Sequence, residues 1–191
     1  LFTEFEADKI IIDGGGVGIA LIGEMEKSSY DETIDEHYEP FGIYDMSTQT
    51  KDFEPLKNGI NCIYVIKGSQ KVNNDCAVYL KNAFSSKKIR LLIEENEKRG
   101  DFSKDLKYHR DSEYHAEKIA PFIQISNFIF ETINLDYDTM SNGDIVLKEK
   151  GRNRKDRFSS VVYGNYLAEL IEKDIRKKNR SKKNKCIFLA N

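Results

Sequence analysis

The stretch KIIIDGGGVGIALIGEM, from Lys9 to Met25, constrains the fold more than any other part of the chain. Three branched aliphatics run into Asp13, and Gly14, Gly15, Gly16 and Gly18 follow it. A short apolar run between charge and glycine predicts a strand buried on both faces over Ile10–Ile12. Val17, Ala20, Leu21 and Met25 recur at helical spacing, which predicts a helix over Val17–Glu26. INCIYVI, Ile60 to Ile66, predicts a second strand. A second helix is predicted over Asn73–Phe84, with Cys76, Ala77, Leu80 and Phe84 on one face. Strand, helix, strand, helix implies parallel strands joined by crossovers, so the fold class is α/β. Such sheets carry functional side chains at the carboxyl ends of their strands, and Asp13 stands at one.

Other segments read less sharply. Residues 27–58 are polar and acidic, contain Pro40 and Pro55, and predict a long surface loop with at most local structure. KIRLLI, 88–93, predicts a short strand or extended segment, and Glu94–Arg110 a charged helix. Tyr114–Leu135 is apolar at helical period, with Pro121 starting or kinking its helix. SNGDIVLKEK, 141–150, predicts a turn into a strand with Ile145 and Leu147 on one face. GRNRKD is a basic loop, and Arg157–Lys178 a final helix lined by Val161, Leu167, Leu170 and Ile171. The organisation expected is one domain over 1–178 and a basic tail over 179–191. LFTEFEADKIIID opens like the last turns of a helix running into a strand, so the sequence is expected to begin inside a larger fold.

A chain of 191 residues can bury a sizeable core. No apolar run reaches the ~18 residues that span a bilayer, and no secretory signal is visible. Three cysteines, Cys62, Cys76 and Cys186, lack the spacing of a disulfide framework or a zinc site, which fits a reducing compartment. The net charge of −2 gives no global basic field, but its distribution is uneven. Residues 24–54 hold ten acids against Lys27 and Lys51, whereas Lys173–Lys185 holds eight basic residues and Asp174. The basic run reads either as a solvated tail or as a phosphate-contacting one.

The glycines do not fit a nucleotide cradle well. Gly14-x-Gly16 is followed at the third position by Ile19, and Gly16-x-Gly18 by Leu21, so neither register supplies the small third residue of a dinucleotide fingerprint. Nor does Gly-Lys-Ser/Thr follow. An acid before the glycines would repel a phosphate there. The carboxylate itself offers another logic: Asp13 binds a metal, and the glycines clear space for a bulky polyanion. The bland alternative makes Asp13 the cap of the helix that follows. Asp156 poses the same choice. It opens the final helix as a cap, or it binds metal among the phosphate-steering cations Arg152, Arg154, Lys155 and Arg157. Neighbouring cations favour the charged form of a carboxylate, the form that binds metal.

With both stretches in view, the chain resembles the C-terminal nuclease domain of tailed-bacteriophage terminase large subunits. The likeness runs from EFEADKIIIDGGGVGIAL through IYVIKGSQKVNNDCAVYLKNAFSSKKIRLLI and FETINLDYDTMSNGDIVLKEK to RKDRFSSVVYGNYLAELIE. It implies an RNase H-like mixed sheet flanked by helices and a cluster of acids holding two Mg²⁺ or Mn²⁺ ions. It also implies endonucleolytic cutting of concatemeric double-stranded DNA during packaging, with the portal and the small terminase subunit as partners. The setting implied is the host cytoplasm, with no membrane. Asp13 matches the family's acid at the end of the central strand, and Asp156 the acid opening the last helix. The family's first acid lies on an earlier strand, so two of three expected ligands are visible. The sheet is expected to have an open side where earlier strands belong, and the chain alone is not expected to be a complete nuclease.

Two hard cations can serve both ends of an in-line phosphodiester displacement, and carboxylates suit them. Lys155 and Arg157 would neutralise the scissile phosphate, while Arg152 and Arg154 would hold backbone phosphates without reading sequence. Lys67, Lys71, Lys87 and Lys88 are outer candidates. Asp144, after Asn142-Gly143, is a spare acid more simply explained by a turn. His37, His109 and His115 lie in polar context and read as surface residues. Two other readings stay open: a nucleotide-binding α/β protein using Gly14–Gly18, and a non-catalytic packaging or docking module presenting the acidic loop.

Overall fold

A computed structural model of the protein describes residues 6–44, 55–104, 112–151 and 155–187, with side chains as far as Arg180. The chain divides into two compact units, Leu1–Asn73 with Leu167–Asn191, and Asn74–Tyr166. The class is mixed α/β: a small parallel sheet, two antiparallel pairs and helices.

The first unit is built on a three-stranded parallel sheet of order β1-β5-β4. Its strands are β1 (Ile10–Asp13), β4 (Phe41–Ile43) and β5 (Ile60–Ile66). Ile10 pairs with Ile63 and Asp13 with Ile66 in parallel register. The central strand is the most apolar, and Cys62 to Ile66 are all buried, as expected of a parallel strand covered on both faces. Helix α1 (Val17–Met25) contacts β1 and β4. Ile12, Ile22, Ile43, Cys62, Ile63 and Val65 form one buried cluster, with Ile10, Met25 and Phe41 packed against it. At ~25 cal/mol per Å² of apolar surface, clusters of this kind are the main source of stability for so small a sheet.

The sequence reading of 27–58 as a surface loop with at most local structure is corrected at β4, which joins the core sheet; the hairpin before it is local structure of the kind expected. β2 (Ser29–Asp31) and β3 (Glu36–Tyr38) form an antiparallel hairpin. Asp31 accepts hydrogen bonds from the Thr33 amide and hydroxyl inside its turn. β4 then joins the core sheet, with Gly42 and Ile43 buried. A side chain at Gly42 would collide with Asn61 Oδ1 at 2.3 Å and Leu56 Cγ at 2.8 Å. The Asn61 amide uses that space to pair with both the N–H and the C=O of Leu56, a side chain completing a ladder that no strand residue supplies.

The second unit is mainly helical. Ser69 caps α2 (Gln70–Ser85) through the Val72 amide. α2 ends with Lys87 at φ +58, its amide on the Phe84 carbonyl and the Lys88 amide on the Ala83 carbonyl. That is a Schellman closure made without glycine. KIRLLI forms no strand: residues 88–93 are irregular, and Leu91, Leu92 and Ile93 are exposed. α3 (Glu95–Phe102) packs on α4 (Ser112–Ile133), which carries Pro121 inside it. β6 (Leu135–Thr139) and β7 (Ile145–Glu149) form a hairpin. β6 is a second correction, because the apolar stretch was read as helix to Leu135. α5 (Asp156–Ile187) extends past the expected Lys178 into the residues read as tail. Cys76, Leu80, Ala83, Ile119, Phe128, Phe158, Val162 and Tyr166 are buried, with ring pairs Phe84–Phe128 and Tyr79–Tyr166 among them. Among the described residues no helix is long and apolar enough to cross a membrane.

Candidate functional site

Asp13 is the last residue of β1, at the carboxyl end of a parallel strand, and it is exposed. Backbone pairing continues one residue further, with the Gly14 amide on the Ile66 carbonyl at 2.7 Å. The Asp13 carboxylate accepts the Gly15 amide through Oδ1 at 3.0 Å, closing a local turn. It does not cap α1, whose N-cap residue is Gly16 at φ +49 with no side-chain cap bond.

The glycines divide the labour. A Cβ on Gly14 would stand 2.7 Å from Val65 Cγ1, and one on Gly18 would stand 1.8 Å from the Asp13 carbonyl oxygen. Gly14 lets the end of β1 close on β5, and Gly18 lets α1 close on β1. Gly18 is thus the small residue for close helix–strand packing that the fingerprint registers lack, one position earlier than the first of them would put it. Gly15 and Gly16 are exposed beside the acid and remain the positions that leave room for a ligand. Lys67, read as an outer contact, has its stem against the Gly14 backbone, with Cγ 3.2 Å from a Cβ built there. The carboxyl edge of the sheet therefore carries both an acid and a cation.

Asp156 opens α5 in the second unit and is exposed. The first helical bond is donated by the Ser159 amide to the Lys155 carbonyl at 2.8 Å. Lys155 therefore holds the cap position, and Asp156 lies inside the first turn. Its carbonyl accepts the Ser160 hydroxyl, while its carboxylate has no hydrogen-bond or ion-pair partner among the described residues. Arg152 and Arg154 lie outside the described residues. Lys155 stands 3.7 Å from Glu149. Arg157 is engaged more firmly, giving Nε to Gln124 Oε1 at 2.6 Å and Nη1 to Glu131 Oε1 at 2.9 Å.

Glu131 is the residue that sequence reasoning passed over. It is 6% exposed on α4, and its second oxygen accepts the buried Phe158 amide at 3.0 Å. Burial pushes its carboxyl up, but the Phe158 amide and the Arg157 guanidinium outweigh that and hold it below the ordinary range. Glutamate is rarely buried unless paired. One signal was present: Gln124, Phe128 and Glu131 share a helical face, so a charge stood on the apolar stripe.

The remaining candidates fall where a plain reading puts them. Asp144 bonds to Asn142 within the β6–β7 turn, where Gly143 has φ +84. His37 packs against Tyr30, His115 Nε2 meets Arg99 Nη1 at 3.0 Å, and His109 lies outside the described residues. Cys62 and Cys76 are free and buried, and burial pushes the Cys76 thiol up to about 12, which makes it inert.

As oxygen donors, Asp13 and Asp156 suit a hard divalent cation. They belong to different units, and among the described residues no group of three or more His, Cys, Asp or Glu is poised to hold a metal. Comparison of the chain with known protein families, with curated proteins and with solved structures finds no match.

Proposed function

We propose that this chain is the endonuclease domain of a viral DNA-packaging terminase, RNase H-like in fold, hydrolysing phosphodiester bonds of double-stranded DNA with Mg²⁺ or Mn²⁺. The observation that carries this reading is the elbow at Asp13. An exposed carboxylate ends a parallel strand, is fixed by the Gly15 amide, and is followed by exposed glycine backbone. Asp13 and Asp156 would be the cation ligands. The bound ions would supply an activated water and relief of charge on the leaving oxygen. The chain's own part is to present the two carboxylates and to bring cations to the DNA backbone. Lys67 packs its stem on Gly14, next to Asp13 in the chain, and Lys155, Arg152 and Arg154 neighbour Asp156 in the sequence. Arg157, in this account, orients the turn rather than meeting a phosphate, because Glu131 and Gln124 occupy it. Portal and small-subunit contacts belong to the same proposal.

The test uses the intact protein with plasmid DNA and Mn²⁺. Asp13→Asn and Asp156→Asn should each lower cleavage at least about 100-fold. Both side chains are exposed, so unfolding free energies should move by less than about 0.5 kcal/mol. Cleavage preserved in both variants overturns the assignment. A nucleotide-binding reading has one observation in its favour: the N-terminus of α1 has no side-chain cap, and such ends attract phosphate. Metal-independent binding of a labelled nucleotide, lost in Gly15→Val, would favour it.

A further inference from the structure

We propose that Glu131 is a positioning residue that fixes the first turn of α5 and so sets the direction of the Asp156 carboxylate. This rests on the reading of Asp156 as a cation ligand. Both oxygens of Glu131 are committed to consecutive residues of α5, Oε1 to the Arg157 guanidinium and Oε2 to the Phe158 amide. Gln124, two turns earlier on α4, takes the Nε of the same guanidinium. A planar guanidinium held at two edges cannot swivel, so this junction fixes the first turn of α5 against α4.

Asp156 comes immediately before the clamped pair. Its own carboxylate has no partner among the described residues, and the clamp on Arg157 and Phe158 holds the backbone that carries it. Lys155 on its other side meets Glu149 at the end of β7. An exposed acid is thus carried between anchored neighbours, the arrangement a ligand needs when a cation demands it within a fraction of an ångström.

Packing alone does not require this. Burying a carboxylate is costly unless it is fully paired, and apolar residues of similar size often serve a helix–helix contact as well or better. A charge retained at 6% exposure, with both oxygens satisfied by the turn that bears Asp156, fits a demand for one orientation. Neutralising Glu131 keeps an acceptor for the Phe158 amide but loses the ionic hold on Arg157. Removing Gln124, which is exposed, loosens only the far edge of the guanidinium and leaves the core alone.

The experiment measures Mn²⁺ binding to the intact protein by electron paramagnetic resonance, alongside melting temperature and hydrogen exchange at the Phe158 amide. Glu131→Gln should weaken Mn²⁺ binding about tenfold or more, the range found for residues that orient metal ligands. Gln124→Ala should weaken it about threefold with an unchanged melting temperature, which a purely structural role would not do. Asp156→Asn is run in parallel. If it loses Mn²⁺ while Glu131→Gln and Gln124→Ala bind as the wild type does, the positioning role is overturned and the ligand assignment stands. If Asp156→Asn itself binds Mn²⁺ normally, the ligand assignment falls, and the inference with it. Should Glu131→Gln fail to fold, Gln124→Ala decides: weakened binding supports the role and unchanged binding overturns it.

Discussion

Asp13 and Asp156 are both exposed carboxylates next to the start of a helix, yet the chain secures them by opposite means. At Asp13 the work is done by missing side chains: Gly14 and Gly18 let β1, β5 and α1 close to distances no Cβ would permit. At Asp156 it is done by added ones, with Glu131 and Gln124 reaching from α4 to grip the following residue. A backbone elbow is rigid because any larger residue collides. A side-chain clamp is rigid only while its charges persist. The first should therefore fail through volume and the second through chemistry.

The largest expected effect tests the elbow. Gly18→Ala puts a carbon where the Asp13 carbonyl oxygen stands, so β1 and α1 must separate. A loss of roughly 3 kcal/mol is expected by urea unfolding. A loss under about 1 kcal/mol would mean the elbow is slack and would break the contrast. Next comes the clamp. Glu131→Ala leaves the Phe158 amide buried without a partner and Arg157 unpaired on one edge. Since Arg157 is itself 41% exposed, the cost is about 2 kcal/mol rather than the larger figure for a fully buried pair.

The clamp also has a pH signature that the elbow lacks. Glu131 is held below its ordinary value of 4.5, so the native state binds its proton less readily than the unfolded chain does. Its contribution is complete above about pH 4.5 and drains away as pH falls through the lowered native value. Urea midpoints measured downward from pH 5 should therefore fall more steeply in the wild type than in Glu131→Gln. Parallel slopes would show that the carboxylate is not under the strain of pairing. The smallest effect probes the glycine principle away from either acid. Lys87 sits at φ +58 in the helix closure, so Lys87→Gly should add about 0.5–1 kcal/mol. A neutral or negative result would limit the elbow argument to close contacts and exclude backbone torsion.

The legible parts of this fold were those where apolar pattern and position agreed. Ile60–Ile66 is apolar but for Asn61, and the strand has those bounds. Ile10–Ile12 runs into glycine, and the strand ends at Asp13. Phe41–Ile43 was illegible because three residues after Pro40 in acidic surroundings carry no period; the strand is recruited by β5. β6 was hidden by its neighbour, since Ile133 and Leu135 prolong the helical spacing. The alternation of Leu135, Tyr137 and Thr139 with Asp136 and Asp138 was nevertheless there to read. KIRLLI has every local preference for a strand but no ladder partner among the described residues, so of its two readings, strand or extended segment, the strand is not formed. Of the site, the two acids and their helix-edge positions were visible in sequence. The clamp was not, because a contact spanning more than twenty residues between two helices leaves only a misplaced charge as its trace.

Pro121 stands in the tenth position of α4 and cannot donate the amide hydrogen that would close the ladder on the Glu117 carbonyl. Fraying that begins at Ser112 meets a break there instead of passing residue by residue toward Glu131. The turns before the proline can open and close many times while the turns holding Gln124 and Glu131 stay shut, which makes the proline a firebreak in the unzipping of the helix. Exchange of backbone hydrogens along α4 should then show a step at residue 121 in place of a gradient.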